Sequence, residues 1–468
     1  MPKLLKSLKK IFYGSVFRGF VSTYLFATLM TAILLKLPFS IQPGEQISWI
    51  DAIFVSASAI STTGLSPIVI KDVLTVPGQL ILLFLIQFGG IGLMMGLAII
   101  WLLIGSNITF SQRNLLMVDQ NQSSMSGIVR FIKKALIIIF SIEAVGIVIF
   151  TILIYSGGFF SFGESLYQAF FTVISLFTNA GFDIAPGADS FFMYREAYGI
   201  LSVAMILMFL GAVGWWPLTD FIDYCRYKLK KNKEDVEKFR FKVFTKWFVL
   251  LHLGFWLVSF VVFSLTEING FLASPEGPTT VVGAIFDLLF MSLTTRNAGF
   301  STVSVNSFSP AGQVLMMFLM FIGASPNSAG GGIRTVTIML VFLSVISYAR
   351  GRKNVVLRRR SVTIKNEDIQ KAFYVITLAG FLVFTMIFLM SIVEPFSLRE
   401  MAFEVASAFG TTGLSTGITS ALSEFSKILL IITMFLGRVG LLAMIFLFKP
   451  NTNKFSNISY PEVDVIVG

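Results

Sequence analysis

The chain has 468 residues, of which 55% are hydrophobic and only 13% charged; its mean hydropathy is +0.82 and its formal net charge +11. So little polar surface cannot cover a soluble globule, and the composition identifies a polytopic membrane protein. The basic excess is not clustered on a soluble module, so a nucleic-acid partner is not implied.

The first residues, MPKLLKSLKKIFYGSVFR, resemble the basic start of a signal peptide. The apolar run behind them is long and lacks a small-residue cleavage site, which predicts a retained first span over 19–37. Further apolar runs at 78–104, 128–154, 197–218, 243–266, 311–347, 370–393 and 425–448 bring the expected spans to eight. Between the members of each pair lies a weaker segment, too short and too rich in Gly, Ser and Thr to cross, which fits a re-entrant half-helix and loop. The expected unit is span, half-helix, loop, span, repeated over 1–127, 128–242, 243–369 and 370–468.

Charge supports this topology. The N-terminus, the segments 105–134, 219–246 and 348–371 and the C-terminal tail hold 28 Lys/Arg against 10 Asp/Glu, whereas the half-helix side holds 5 against 14. Lys and Arg accumulate on the cytoplasmic side, so both termini are expected inside. Cys225, the single cysteine, can form no internal disulfide.

Each half-helix runs into a similar loop: STTGL at 61–65, TNAGF at 178–182, RNAGF at 296–300 and TTGLS at 411–415. Their glycines, at 64, 181, 299 and 413, are separated by 117, 118 and 114 residues. A second landmark keeps the same period, with FGGIG at 88–92, LGAVG at 210–214, IGASP at 322–326 and LGRVG at 436–440 expected to open the second spans. Close helix packing through small residues would account equally well for these openings, but poorly for a glycine in a loop. Units with an even number of spans share one orientation and can surround a single pore with pseudo-four-fold symmetry.

The loop chemistry suits a dehydrated cation. Backbone carbonyls replace a hydration shell without a fixed counter-charge. Glycine at positive φ turns successive carbonyls inward, and the half-helix aims its partially negative end at the same place. The side chains of STTGL are then expected mainly to brace the loop.

These loops make the chain resemble the Trk/Ktr/HKT superfamily of potassium transporters over essentially its full length, particularly the Ktr membrane subunit. The resemblance implies four M1-P-M2 repeats and K+ transport, with Na+ as an activator in some members. It places filter carbonyls and glycines at Thr62, Thr63 and Gly64, at Asn179, Ala180 and Gly181, at Asn297, Ala298 and Gly299, and at Thr411, Thr412 and Gly413. Glycine in all four loops goes with K+ preference in that family, whereas serine in the first goes with Na+. It further implies a homodimer on a cytoplasmic ring of nucleotide-binding RCK subunits, in a bacterial cytoplasmic membrane. The basic segments 226–246 and 350–371 offer docking surface, and the tail YPEVDVIVG is Ktr-like and could reach a partner.

The sixth apolar run contains GASPNSAGGGI at 323–333, where Pro326 and three successive glycines should break the helix at membrane depth. The resemblance makes this an intramembrane gate built from Gly323, Ser325, Asn327, Ser328, Gly330, Gly331 and Gly332. Arg438 occupies the matching stretch of the last repeat; its expected partners are loop carbonyls, with an ion pair to Glu143 as the alternative. His252 is expected to bond a neighbouring helix, Arg296 to pair with an Asp or Glu, with contact at the pore mouth as the alternative, and Lys36 and Trp49 to sit at interfaces. No Walker motif, metal cluster or acid/base cluster is present, so an enzyme is not expected. A Na+-conducting transporter of the same fold is the nearest rival, and a secondary transporter of another solute a weaker one.

Overall fold

The computed structural model of the chain describes residues 16–103, 108–110, 112–113, 116, 127–185, 190–229, 239–273, 280–352, 354–357 and 362–441. The basic start, the tail with YPEVDVIVG and parts of the basic segments lie outside the described residues.

Helices carry nearly all of the described structure, beside one two-residue antiparallel pair of β1 (Val356–Leu357) with β2 (Val362–Thr363). A long helix, α1 (Val16–Leu35), leads to a short one, α2 (Trp49–Ser61), then a loop, then α3 (Val76–Ile91) and α4 (Leu93–Leu103). The order recurs in α5 (Ile128–Ser156), α6 (Phe162–Phe177), α7 (Tyr198–Val213) and α8 (Trp215–Leu229). It recurs again in α9 (Val243–Ala273), α10 (Val281–Thr294), α11 (Pro310–Phe321) and α12 (Thr335–Ala349), and finally in α13 (Asn366–Val393), α14 (Leu398–Gly410) and α15 (Glu424–Val439).

The short helices begin where a hydroxyl can satisfy their first free N–H groups. Ser48, Ser161, Thr280 and Ser397 each accept from the backbone three residues on, and Glu164 and Glu400 return the bond to complete two capping boxes. Such a cap is worth about 1 kcal/mol. These helices are largely buried, because each packs against the long helix before it and one from the preceding unit. Thus α6 meets α3, α10 meets α7, α14 meets α11, and α2 closes the circle against α15. Phe26, Phe84, Leu265, Phe342 and Phe381 stay exposed on the long helices, an outer surface suited to lipid and not to water.

The second helix of every unit is interrupted. Gly92, Gly214 and Gly440 take φ of 104°, 100° and 88°, values that end the helix where continuous spans were expected. At the third place Pro326 stands where the others have this glycine, and a longer loop separates α11 from α12. FGGIG, LGAVG and LGRVG therefore lie at mid-element breaks and do not open the helices. Among the described residues three helices are long and apolar enough to cross a bilayer, within Ile128–Ser156, Thr245–Ile268 and Asn366–Val393. The pair α7 and α8, bent by 104°, would make a fourth.

Candidate functional site

Three of the four loops are closed by one device. Thr62, Asn179 and Thr411 take φ of 53°, 51° and 49°, which reverses the chain at the end of the short helix. The next N–H, of Thr63, Ala180 and Thr412, then bonds back to the carbonyl of Ser58, Ser175 and Ser407 at 2.8, 2.8 and 2.9 Å. The same serines use their hydroxyls to accept from Gly64, Phe182 and Gly413 at 3.0, 3.0 and 3.1 Å. Each serine lies six residues before its glycine, a regularity visible in the sequence once the four glycines are aligned but absent from the expectations above. The third loop departs: Leu293 holds the serine position and Asn297 has no positive φ.

The four glycines meet. A Cβ on Gly64 would lie 2.6 Å from the Ala180 carbonyl, one on Gly181 3.0 Å from that of Ala298, one on Gly299 2.1 Å from that of Thr412, and one on Gly413 2.2 Å from that of Thr63. Each loop thus turns the carbonyl preceding its glycine onto the neighbouring glycine, in one cyclic order. All four glycines have positive φ, between 70° and 97°. A residue without Cβ meets both the conformation and the approach without strain. Thr62, Thr63, Asn179, Ala180, Asn297, Ala298, Thr411 and Thr412 are all buried.

The segment 323–333 lies against these loops. The Thr62 hydroxyl donates to the Ala329 carbonyl at 2.9 Å, and the Gly331 N–H donates to the Thr411 hydroxyl at 2.7 Å. A Cβ on Gly330 would press on the Asn297 amide at 2.3 Å. From the other side Trp215 N–H donates to the Asn327 carbonyl at 2.7 Å, Ser325 N–H to Ala212 at 3.3 Å and Gly332 N–H to Gly437 at 3.1 Å. Ser328 closes a local turn onto the Ser325 carbonyl at 2.6 Å, and Asn327 takes φ of 56°. Arg438 donates to the carbonyls of Ala329 and Gly89, and at 3.4 Å to that of Gly90. The expected loop-carbonyl contact is present, whereas Glu143 is bonded by the Gln87 amide at 2.8 and 2.9 Å.

Arg296 corrects an expectation. Among the described residues its guanidinium has no carboxylate partner; it donates to His252 Nδ1 at 2.7 Å, to the His252 carbonyl at 3.2 Å and to the Gly323 carbonyl at 3.0 Å. Because arginine only donates, His252 accepts through Nδ1 and is the neutral Nε2–H tautomer. The Lys36 ammonium lies over the Trp49 ring, 5.3 Å from its centre.

Above the ring of glycines opens a cavity of about 410 Å³, lined by all four of them together with Ser66, Asp183, Ser301, Asn306 and Ser415. Among the described residues of this lining Asp183 is the acidic one. Burial pushes its carboxyl up to about 6, against the opposing pull of the Ala185 N–H at 2.8 Å. Behind the fourth loop the buried carboxylate of Glu404 accepts from Ser415 Oγ at 2.5 Å, Thr416 N–H at 3.0 Å and Thr419 Oγ1 at 2.9 Å, fixing the cavity wall.

The chain is similar to known proteins over most of its length. The model of a family described as TrkH, cation transport protein, matches residues 20–457. The chain is 37% identical over 450 residues to Ktr system potassium uptake protein D of Bacillus subtilis, covering 95% of each. It is 30% identical to potassium/sodium uptake protein NtpJ of Enterococcus hirae, covering 93% of each. The crystal structure of the potassium transporter TrkH from Vibrio parahaemolyticus superposes with a TM-score of 0.68 at 20% identity, covering 92% of this chain and 85% of that one.

Proposed function

The chain belongs to the TrkH family of cation transport proteins, which are not enzymes, and from that premise we propose that it is a potassium uptake transporter of the Ktr/Trk kind. The observation that carries this reading is the cyclic approach of the four loop glycines, each to the carbonyl preceding the next. A partly dehydrated K+ passing there would exchange water for the carbonyls of Thr63, Ala180, Ala298 and Thr412, with those of Thr62, Asn179, Asn297 and Thr411 beside them. Each loop offers fewer carbonyl layers than a TVGYG filter, so selectivity is softer.

In this reading the helix order represents four M1-P-M2 repeats over 1–127, 128–242, 243–369 and 370–468, with eight spans and α2, α6, α10 and α14 as re-entrant half-helices. The protein sits in a bacterial cytoplasmic membrane with both termini inside. The segment 323–332 acts as the gate and Arg438 holds it across the path. The cavity with Asp183 is the outer mouth, where a negative charge concentrates cations. Entry runs down the membrane potential, which supplies about 2.3 kcal/mol per charge per 100 mV. A homodimer and a cytoplasmic nucleotide-binding RCK ring complete the system, the ring supplying the signal that releases the gate.

Sodium conduction is the second reading, favoured by the resemblance to a relative named for both ions. Rb+ and Na+ uptake by the purified chain in liposomes, with and without Gly64→Ser, separates the two. The expected result is Rb+ ahead of Na+ in the unaltered chain and a shift toward Na+ in the variant. Movement of an organic solute without either ion would reject both.

A further inference from the structure

The third loop poses a problem that the other three do not. It lacks the serine bracket, with Leu293 at that position, and it lacks the left-handed residue that closes loops one, two and four. Its carbonyl at Ala298 nevertheless joins the same cycle, 3.0 Å from the position of a Cβ on Gly181. The Ala298 N–H bonds the Thr294 carbonyl at 2.9 Å and the Asn297 amide donates to the Gly410 carbonyl at 3.3 Å, and in place of a serine hydroxyl a buried guanidinium adds to this hold.

Arg296 immediately precedes Asn297 and Ala298 and is 1% exposed. One arm of its guanidinium reaches His252 on α9, at the ring nitrogen and the backbone carbonyl, and the other reaches the Gly323 carbonyl. The Phe255 ring lies 5.3 Å from the guanidinium carbon. A buried cation without a carboxylate is costly and persists only where fixed dipoles surround it, and a planar fork is the donor shape that joins two such sites rigidly.

Gly323 is where the intramembrane loop is pinched. A Cβ there would lie 1.8 Å from the Gly331 carbonyl and 3.0 Å from the Gly332 Cα, so the entering and leaving strands touch at this neck. Arg296 therefore ties the neck of the loop to the third quarter of the ring, with α9 as the fixed post.

We propose that Arg296 is a positioning and specificity-determining residue, through which displacement of the 323–332 loop shifts the Ala298 carbonyl and so changes ion discrimination. This rests on the reading of the ring as an ion path and of 323–332 as its gate. The segment also bonds Thr62 and Thr411, but those loops carry serine brackets, so the link between gating and selectivity runs mainly through the third quarter, which has none.

The test is Rb+ and Na+ uptake by the full-length chain in liposomes. Arg296→Lys keeps the charge but cannot bridge both partners, and His252→Phe removes the acceptor; each should lower the Rb+ to Na+ uptake ratio about tenfold, the scale of one charge-assisted hydrogen bond. His252→Gln keeps an acceptor and should stay within about twofold of the unaltered ratio. Arg438→Gln should lower the ratio in the unaltered chain and add little in the Arg296→Lys background, a non-additivity that independent sites would not show. An unchanged ratio in both Arg296→Lys and His252→Phe, or additive effects of Arg438→Gln, would overturn the inference. Should Arg296→Lys fail to fold by thermal unfolding in detergent, the contrast between His252→Phe and His252→Gln decides it. An unaltered chain that passes neither ion would instead remove the reading beneath it, and the inference with it.

Discussion

The hydroxyl of Thr62 donates to the Ala329 carbonyl across 2.9 Å, although 267 residues separate the two in sequence. The same carbonyl accepts from Arg438, which itself reaches the broken second helix of the first unit at Gly89. One backbone oxygen thus gathers the first loop, the intramembrane segment and the last helix.

Removing the cation from that junction should loosen the segment. Arg438→Gln is expected to raise basal Rb+ flux in liposomes about tenfold, the loss of one charge-assisted hydrogen bond shifting a closed-to-open equilibrium by that much. Flux equal to that of the unaltered chain, with the protein intact, would remove the holding role.

Alanine scanning of the four loop glycines should give a graded result. The added methyl would meet a carbonyl at 2.1 Å in Gly299→Ala, 2.2 Å in Gly413→Ala, 2.6 Å in Gly64→Ala and 3.0 Å in Gly181→Ala. Every one also bears the cost of a positive φ, about 1 kcal/mol. Uptake by cells lacking other K+ systems should therefore be lost at 299 and 413 and best retained at 181; equal tolerance at all four would contradict the close approach.

Acidifying the outer face should slow uptake through Asp183. Its carboxyl is pushed up to about 6 by burial, so it is mostly ionised at pH 7 and mostly protonated at pH 5, and the cavity loses its negative charge on the way down. Rb+ uptake measured against external pH should fall with a midpoint near 6, and Asp183→Asn should be slower at pH 7 and flat across that range. A midpoint unchanged in Asp183→Asn would assign the titration elsewhere.

Glu404 bears on stability. Glu404→Ala leaves the hydroxyls of Ser415 and Thr419 and the N–H of Thr416 without their acceptor in a buried wall, and should destabilise the protein by about 3 kcal/mol. Glu404→Gln keeps one acceptor oxygen and should lose less. Thermal unfolding of the detergent-solubilised chain orders the two.

Much of this arrangement was legible in the sequence. The common period of the loop glycines announced four similar elements, and Pro326 with Gly330, Gly331 and Gly332 announced a break, because a packing kink, the milder alternative, needs no triple glycine. The breaks at Gly92, Gly214 and Gly440 were not legible. A single glycine costs a helix only about 1 kcal/mol, and what marks the interruption is its positive φ, which no local pattern records. The partner of Arg296 was hidden for a related reason. A charge suggests an opposite charge, whereas a backbone carbonyl such as that of Gly323 has no signature in sequence.

One polypeptide supplies every glycine of the ring, and this changes what a mutation can do. In an assembly of identical subunits any substitution is copied into each quadrant, so an intermediate dose is never available to selection. Here a base change alters one quadrant and spares the rest, and if the ring is the ion path proposed above, ion preference can drift by fractional steps, each quadrant diverging under its own constraint.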